Sequence, residues 1–307
     1  MDAIILNADA GKETILITGA NGFTGQHACE HFSASGMKVI AVVRKENTLV
    51  VHADQVQICD LTDRLKVHQL IRETMPNYVL HLAGRNAVQD SWADPIGHMD
   101  ANVMATLYLL NALRGYPDCR IVVAGSMLSF TLNENPQPLH PYSLSKTFQM
   151  LAAQSWSHLF QQQIMVARPS NLIGPGYSNG LCGILAKKAV KIENGVENTP
   201  FRLSSLIEQR DYVDIRDAVK AYEHILLYGT AGTVYPVGSG SNRTIGEIVK
   251  AFQSMIAVEI PLEIGQIDGY VPPNPIDLAL MKALGWRPEI SFEQSIADII
   301  HFYRAES

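Results

Sequence analysis

The sequence predicts a doubly wound α/β fold: a parallel sheet covered by helices on both faces, with a smaller substrate lobe interleaved toward the C-terminus. Three observations carry this. Over the first 170 residues, six short β-branched runs alternate with helix-length segments. The runs are continuously apolar, as in strands buried on both faces. The first of them hands over directly to the glycine-rich turn ITGANGFTG, residues 17–25.

In chain order the strands are TILITG (14–19), KVIAVVR (38–44), VQIC (56–59), YVLHLAG (78–84), RIVVAGS (120–126) and IMVARPS (164–170). Helical patterns fill the gaps, notably NVMATLYLLNALRG (102–115) and SKTFQMLAAQSWSHLF (145–160). After residue 170 the rhythm breaks into Gly-, Asn- and Ser-rich stretches around a lysine-bearing helix (184–193), and SFEQSIADIIHFYR closes the chain as an amphipathic helix. Returns to the sheet are expected near DYVDI and TVYPVGS. The predicted division is 1–170 plus about 205–240 for the dinucleotide-binding domain, and 171–204 plus 241–307 for the lobe. No internal repeat is visible.

Composition narrows the function. With 307 residues there is room for one large domain and an attached lobe. A net charge of −6 without a long run of one sign argues against a dedicated nucleic-acid binder. No apolar stretch approaches the ~20 residues of a membrane span. The start, MDAIILNADAGKE, has acid where a signal peptide carries base. The four cysteines are scattered without a CxxC pair, which fits reduced thiols in a cytoplasmic protein. In HACEH, His27 and His31 lie four apart, but the glutamate does not follow the first histidine and no third ligand is apparent. An ordinary helix face is expected there, and no metal.

The glycines stand as Gly19-x-x-Gly22-x-x-Gly25. One allows a tight bend, a second lets the backbone approach a pyrophosphate, and a third lets helix pack close on strand. Bare N–H groups at the helix start then hold the anion. The second strand ends in Val43, Arg44 and Lys45, with no acid before Glu46. A guanidinium there suits the 2′-phosphate of NADP, where an acid would hold the ribose of NAD. NADP is the expected cofactor and NAD the less favoured one.

YSLSK places Tyr142 and Lys146 at i and i+4 on one helix face. A neighbouring ammonium favours the phenolate and makes the tyrosine a workable acid or base. Ser126, at the C-terminal end of the fifth strand, can orient a substrate carbonyl, since that edge of a parallel sheet is where ligands bind.

Together these residues resemble the extended short-chain dehydrogenase/reductase family, also called the NAD-dependent epimerase/dehydratase family, over nearly the whole chain. TGANGFTG looks like its cofactor loop and CDLTD like the turn whose aspartate, here Asp60, reaches the adenine. HLAG (81–84) resembles the strand-four motif and NVMAT a helix that begins at Asn102. RPSNLIGPG (168–176) and RDYVDIRD (210–217) are similar to elements whose asparagine and arginine, here Asn171 and Arg210, meet a nucleotide-sugar diphosphate. The resemblance implies a Rossmann-like fold with Ser126, Tyr142 and Lys146 as catalytic residues. It implies cofactor contacts from Gly19, Asn21, Gly22, Phe23, Thr24, Gly25, Arg44, Asp60, Leu61, Leu82, Ala83, Gly84, Asn102, Tyr142, Lys146 and Arg168. Substrate contacts would come from Arg85, Ser126, Asn171, Lys188 and Arg210.

AVQDSW, ARPSNLIGPG, KIENG and LGWRPEISFEQSIADII read like the subgroup of GDP-4-keto-6-deoxy-mannose reductases. That likeness implies NADPH-dependent reduction of a keto group, at C4, of a nucleotide-activated 6-deoxy sugar, with Tyr142 as proton donor. Around the sugar the pattern departs. Met127, Leu128 and Phe130 follow Ser126 without an acid, which argues against a 4,6-dehydratase. The 127–141 loop is short, and DGYVPPNP stands where relatives carry a substrate arginine. Two other enzymes stay open: a 4-epimerase retaining NAD, disfavoured by Val43 and Arg44, and a reductase of a non-sugar carbonyl. A non-catalytic NADP sensor is disfavoured by the intact Ser126, Tyr142 and Lys146. Relatives dimerise through the helices that here span about 102–115 and 145–160, so a homodimer built on a four-helix bundle is expected.

Overall fold

The computed structural model describes residues 11–307 apart from 47, 49, 131 and 134. Most of the opening stretch weighed as a signal peptide therefore lies outside the described residues. Contacts divide the chain into two units: residues up to Ala167 with Ile225–Val234, and Arg168–His224 with Tyr235–Ser307. The sequence placed the first boundary at 170 and the returning segment at about 205–240.

The first unit begins with β1 (Thr14–Thr18), α1 (Phe23–Ala34), β2 (Lys38–Val43), β3 (Gln55–Ile58), α2 (Arg64–Thr74) and β4 (Tyr78–His81). Two short helices follow, α3 (Val88–Ala93) and α4 (Pro95–Met99), then a π turn over Asp100–Met104, α5 (Ala105–Ala112), β5 (Arg120–Ala124), α6 (Pro141–Phe160) and β6 (Gln163–Pro169). Their strands stand in the order β6-β5-β4-β1-β2-β3, with parallel pairing throughout. The order reverses beside β1, and the cleft outside the strand ends at such a reversal is where open α/β sheets bind ligands.

Local chemistry sets these elements. Ile15, Leu16 and Ile17 of β1 are fully buried, as are Val79 and Leu80 of β4, so continuous apolar runs fill a sheet covered on both faces. Asp63 caps α2, accepting from the N–H groups of Leu65 (3.0 Å) and Lys66 (3.2 Å). The segment 102–115, read as one helix, is instead a π turn, an α-helix and a closing 3₁₀ turn at Leu113–Gly115. The pieces run only 5, 8 and 3 residues, too short for their different periods to show in the apolar pattern. Helix α6 starts four residues before the predicted 145, at a proline suited to the first helical position.

The second unit comprises β7 (Asn171–Ile173), α7 (Leu181–Glu193), β8 (Phe201–Leu203), β9 (Gln209–Asp214), α8 (Ile215–Tyr228), β10 (Val234–Val237), β11 (Asn242–Thr244), α9 (Ile245–Gln253), β12 (Leu262–Ile264), α10 (Ala279–Ala283) and α11 (Phe292–Ala305). Helix α8 and strands β6 and β10 carry the chain across the boundary, and β10 extends the large sheet beyond β6 to seven strands. DYVDI does not return to that sheet. It forms β9, which pairs in parallel with β7 and antiparallel with β11 in a separate three-stranded sheet. A buried run reads alike in either sheet, because its partners are chosen by tertiary packing. The core of this unit joins α7, α9 and α11 through Leu185, Ala189, Ile248, Phe252, Ile296 and Ile300. Among the described residues no helix is long and apolar enough to cross a membrane.

Candidate active site

The glycine turn leaves β1 and enters α1. Gly19 takes φ +68°, and a Cβ there would lie 2.9 Å from the backbone N and Cα of Ala83. Its carbonyl accepts from the Gly22 N–H at 3.0 Å. Gly22 is the N-cap of α1 without a side-chain hydrogen bond, and the first turn carries no acid. The N–H groups of Phe23, Thr24 and Gly25 thus begin a twelve-residue helix with no carboxylate competing for them. That bare cradle fits a dinucleotide pyrophosphate. Arg44 stands exposed just beyond β2. Asp60, just beyond β3, accepts from the Thr62 N–H (3.0 Å) and Oγ1 (2.7 Å), and those bonds, with Arg44 and Lys66 behind them, hold its carboxyl below the usual range.

After β4 come Leu82, Ala83, Gly84 and Arg85. The amide of Asn102, fully buried in the π turn, pins this segment: Oδ1 accepts from the Arg85 N–H (2.8 Å), and Nδ2 donates to the Arg85 carbonyl (3.0 Å) and to Ser145 Oγ (2.9 Å). Ser145 Oγ in turn donates to the Tyr142 carbonyl (2.9 Å). Asn102 therefore works as a brace between the end of β4 and the first turn of α6. The Arg85 guanidinium pairs with Asp94.

Ser126 is hydrogen-bonded to Tyr142, and Lys146 stands one turn further along α6 with its ammonium on the Ala124 carbonyl at the end of β5. Tyr142 is 6% exposed, and burial pushes its phenol above the ordinary value while a hydrogen bond with Ser126 acts the other way. Lys146 is 7% exposed and has no carboxylate among its hydrogen-bond partners; Nζ donates to the Ala124 carbonyl (2.7 Å) and to Gln149 Oε1. Burial lowers its pKa to about 7. Such a lysine gains or loses its proton near neutrality, a property that clusters at functional sites.

His140 escaped the sequence analysis. Its Nδ1 accepts from the Ser143 N–H (2.9 Å), the Ser143 side chain answers back, and the imidazole stacks on the Tyr142 ring at 5.9 Å. A histidine cap must be unprotonated at Nδ1, and burial lowers its pKa. We expect His140→Ala to cost about 1 kcal/mol in thermal or denaturant unfolding, and His140→Asn, which can accept the same N–H, to recover most of it. The folded pKa lies below the unfolded one, so protonation favours unfolding as pH falls below about 6.5. The Asn variant loses that part of the acid sensitivity, and unfolding midpoints between pH 7 and 5 will show it.

The remaining residues belong to the second unit. Arg168 opens it, with a buried Nε that has no hydrogen-bond partner and a guanidinium pushed below its ordinary pKa by burial. Asn171 Nδ2 donates to the Asp211 carbonyl (2.9 Å). Arg210 on β9 is half-exposed, 3.5 Å from Glu208 and in register opposite Arg243 of β11. Lys188 donates to Glu197 Oε1 (2.9 Å), Thr199 Oγ1 (2.8 Å) and the Pro200 carbonyl (3.2 Å). These bonds tie its ammonium to the 197–200 loop.

All four cysteines are free and buried, and burial raises their thiols to about 11 for Cys59 and about 12 for Cys29, Cys119 and Cys182, so none is a thiolate nucleophile. Among the described residues no group of three or more His, Cys, Asp or Glu could hold a metal.

The model of the NAD dependent epimerase/dehydratase family matches residues 15–238. The chain belongs to that family. It is similar to a GDP-6-deoxy-D-mannose reductase of Pseudomonas aeruginosa, 27% identical over an alignment of 310 positions that takes in 94% of this chain and 96% of the relative. RMD from Pseudomonas aeruginosa, solved in complex with NADPH, superposes with a TM-score of 0.82 at 24% identity, covering 96% of this chain and all of that one. The UDP-glucose 4-epimerase of Thermus thermophilus, solved with NAD, gives 0.82 at 23% identity, with 96% and 100% covered. These two structures share the fold. As a member of the epimerase/dehydratase family the protein is an NAD(P)-dependent enzyme of the extended short-chain dehydrogenase/reductase type.

Proposed function

We propose that the protein uses NADPH to reduce the keto group, at C4, of a nucleotide-activated 6-deoxy sugar of the GDP-4-keto-6-deoxy-mannose kind. The observation that carries this is the buried group of Ser126, Tyr142 and Lys146, with no carboxylate bonded to the lysine among the described residues, built on the unit that bears the bare glycine turn. Bound NADPH supplies hydride to the keto carbon. Ser126 donates a hydrogen bond that orients the keto oxygen, Tyr142 passes its phenolic proton to that oxygen, and the Lys146 ammonium stabilises the phenolate left behind. Gly19 to Gly25 would hold the pyrophosphate, Arg44 the 2′-phosphate, and Asp60 the adenine. Asn171 and Arg210 would take the substrate diphosphate, a role that suits a half-exposed guanidinium.

Helix α6 shows Phe148, Leu151 and Leu159 to solvent, and in a homodimer a four-helix bundle would cover them. The four buried thiols suit a cytoplasmic setting.

Fluorescence titration with NADPH and NADH, repeated with saturating GDP, UDP, dTDP or CDP, tests the proposal. Tighter NADPH binding, strengthened by one nucleoside diphosphate, is expected. NADPH binding indifferent to all four would rule out the sugar-nucleotide substrate, and a preference for NADH would overturn the role of Arg44.

A further inference from the structure

Lys146 owes its place to a chain of hydrogen bonds in the first unit that the catalytic motif does not include. Thr106 Oγ1 donates to the Asn102 carbonyl at 2.7 Å, so its single proton is spent. Two further groups lie at hydrogen-bond distance from that oxygen, Gln149 Nε2 (2.9 Å) and His81 Nε2 (2.8 Å). Both must donate. His81 therefore carries its proton on Nε2, and its Nδ1 accepts from Thr18 Oγ1 (2.8 Å). The Thr18 oxygen accepts from the Ala83 N–H (3.1 Å), beside the glycine turn. Thr18, His81, Thr106 and Gln149 are all fully buried, and His81 is held neutral, its pKa pushed down to about 3 by burial with the charge of Lys146 behind it.

The polarity of the chain fixes Gln149. Turning its amide over would set Oε1 against the lone pairs of Thr106 and NH₂ against an ammonium. Only the carbonyl can face Lys146. An ammonium has three protons; Ala124 and Gln149 take two, and one is left.

We propose that Gln149 is a positioning residue for the ketone reduction, its side-chain carbonyl locked by Thr106 so that it holds the Lys146 ammonium with one N–H free. This rests on the proposed role of Lys146. Among the described residues, neutral His81 from β4 and Tyr142 one turn back on α6 are the titratable groups beside Lys146, and β5 contributes a backbone carbonyl. The α3 and α4 helices and the π turn, which also pack on α6, bring Asp90, His98 and Asp100, but the Lys146 shift comes from burial alone. Among the described residues no carboxylate is bonded to Lys146, and the Gln149 oxygen is its one side-chain acceptor, which favours the charged lysine.

The test compares Gln149→Leu, which removes the acceptor at similar volume, with Gln149→Glu, which replaces it by a charge. Lys146 is followed through ¹³C-labelled lysine side chains, with Lys146→Met giving the assignment. NADPH oxidation is followed with GDP-4-keto-6-deoxy-mannose as probe. Turnover needs a charged lysine, so it falls as pH rises through the Lys146 pKa. We expect that limb and the Lys146 titration to move down together by about one pH unit in the Leu variant and up by about one in the Glu variant. A purely structural residue would weaken both variants without moving the limb in opposite directions. An unchanged Lys146 titration in Gln149→Leu that still unfolds in one cooperative transition overturns the proposal. Should the Leu variant not fold, Gln149→Glu alone must raise the titration, and a Glu variant that leaves it unchanged overturns the proposal as well. Wild-type protein inert toward the probe would sink the substrate reading, while the lysine titration would still decide the role of Gln149.

Discussion

Tyr142→Phe is expected to bind NADPH as tightly as the unaltered protein and to reduce GDP-4-keto-6-deoxy-mannose about 10²–10⁴-fold more slowly, the range for loss of a positioned general acid. The change keeps the ring, its burial and its stacking on His140. It removes one hydroxyl, whose hydrogen-bond partner Ser126 also accepts from the Leu128 N–H at 3.1 Å. Ser126 is therefore not left without a partner, and stability should change by no more than about 1 kcal/mol. That separation gives the experiment its force. A lost rate with intact affinity and an intact unfolding midpoint locates the defect in proton transfer. Turnover at the unaltered rate would remove Tyr142 from the mechanism and, with it, the reason for a buried lysine one turn away.

How legible was this site in the sequence? The glycine turn, YSLSK and Ser126 each announce themselves over a few residues, because their chemistry depends on local spacing or on the end of a strand. The groups that make Lys146 work do not. Thr18, His81, Thr106 and Gln149 come from β1, β4, α5 and α6, and no pattern in the chain joins them before the sheet is folded. Gln149 alone had a signal, since it stands three residues after Lys146 on the same helix, a spacing at which side chains meet. His140 could also have been found: it precedes a proline at a helix start, although histidine is not among the usual caps. The fold follows the same division. Continuous apolar runs identified the buried strands of the large sheet, whereas β3 is an exposed edge strand interrupted by glutamine, and the placement of β9 in a separate sheet depended on partners remote in sequence. Nor does the chain show that Lys188 is held by Glu197 and Thr199, nine and eleven residues further on.

The glycine turn supplies the second large effect. Gly25→Ala is expected to lower the unfolding midpoint by several degrees and to weaken NADPH binding at least about tenfold. A Cβ on Gly25 would meet the Gly19 carbonyl oxygen and lie 2.6 Å from Ala20 Cα. Both neighbours are backbone, so no rotamer change relieves the clash; overpacking of this kind costs typically about 1–3 kcal/mol. Relief requires α1 to move away from β1, and that movement opens the cradle of N–H groups where an anion would sit. Gly22→Ala provides the contrast. Its Cβ would meet a single atom, the Gly19 oxygen, at 3.2 Å, which a small shift can accommodate. If the glycines serve the turn by their bare Cα atoms in general, the two variants should suffer alike. If Gly25 is there so that helix and strand can touch, Gly25→Ala should lose far more in both measurements. A folded Gly25→Ala with undiminished NADPH affinity would show that the close packing of α1 on β1 is not what shapes the cofactor site.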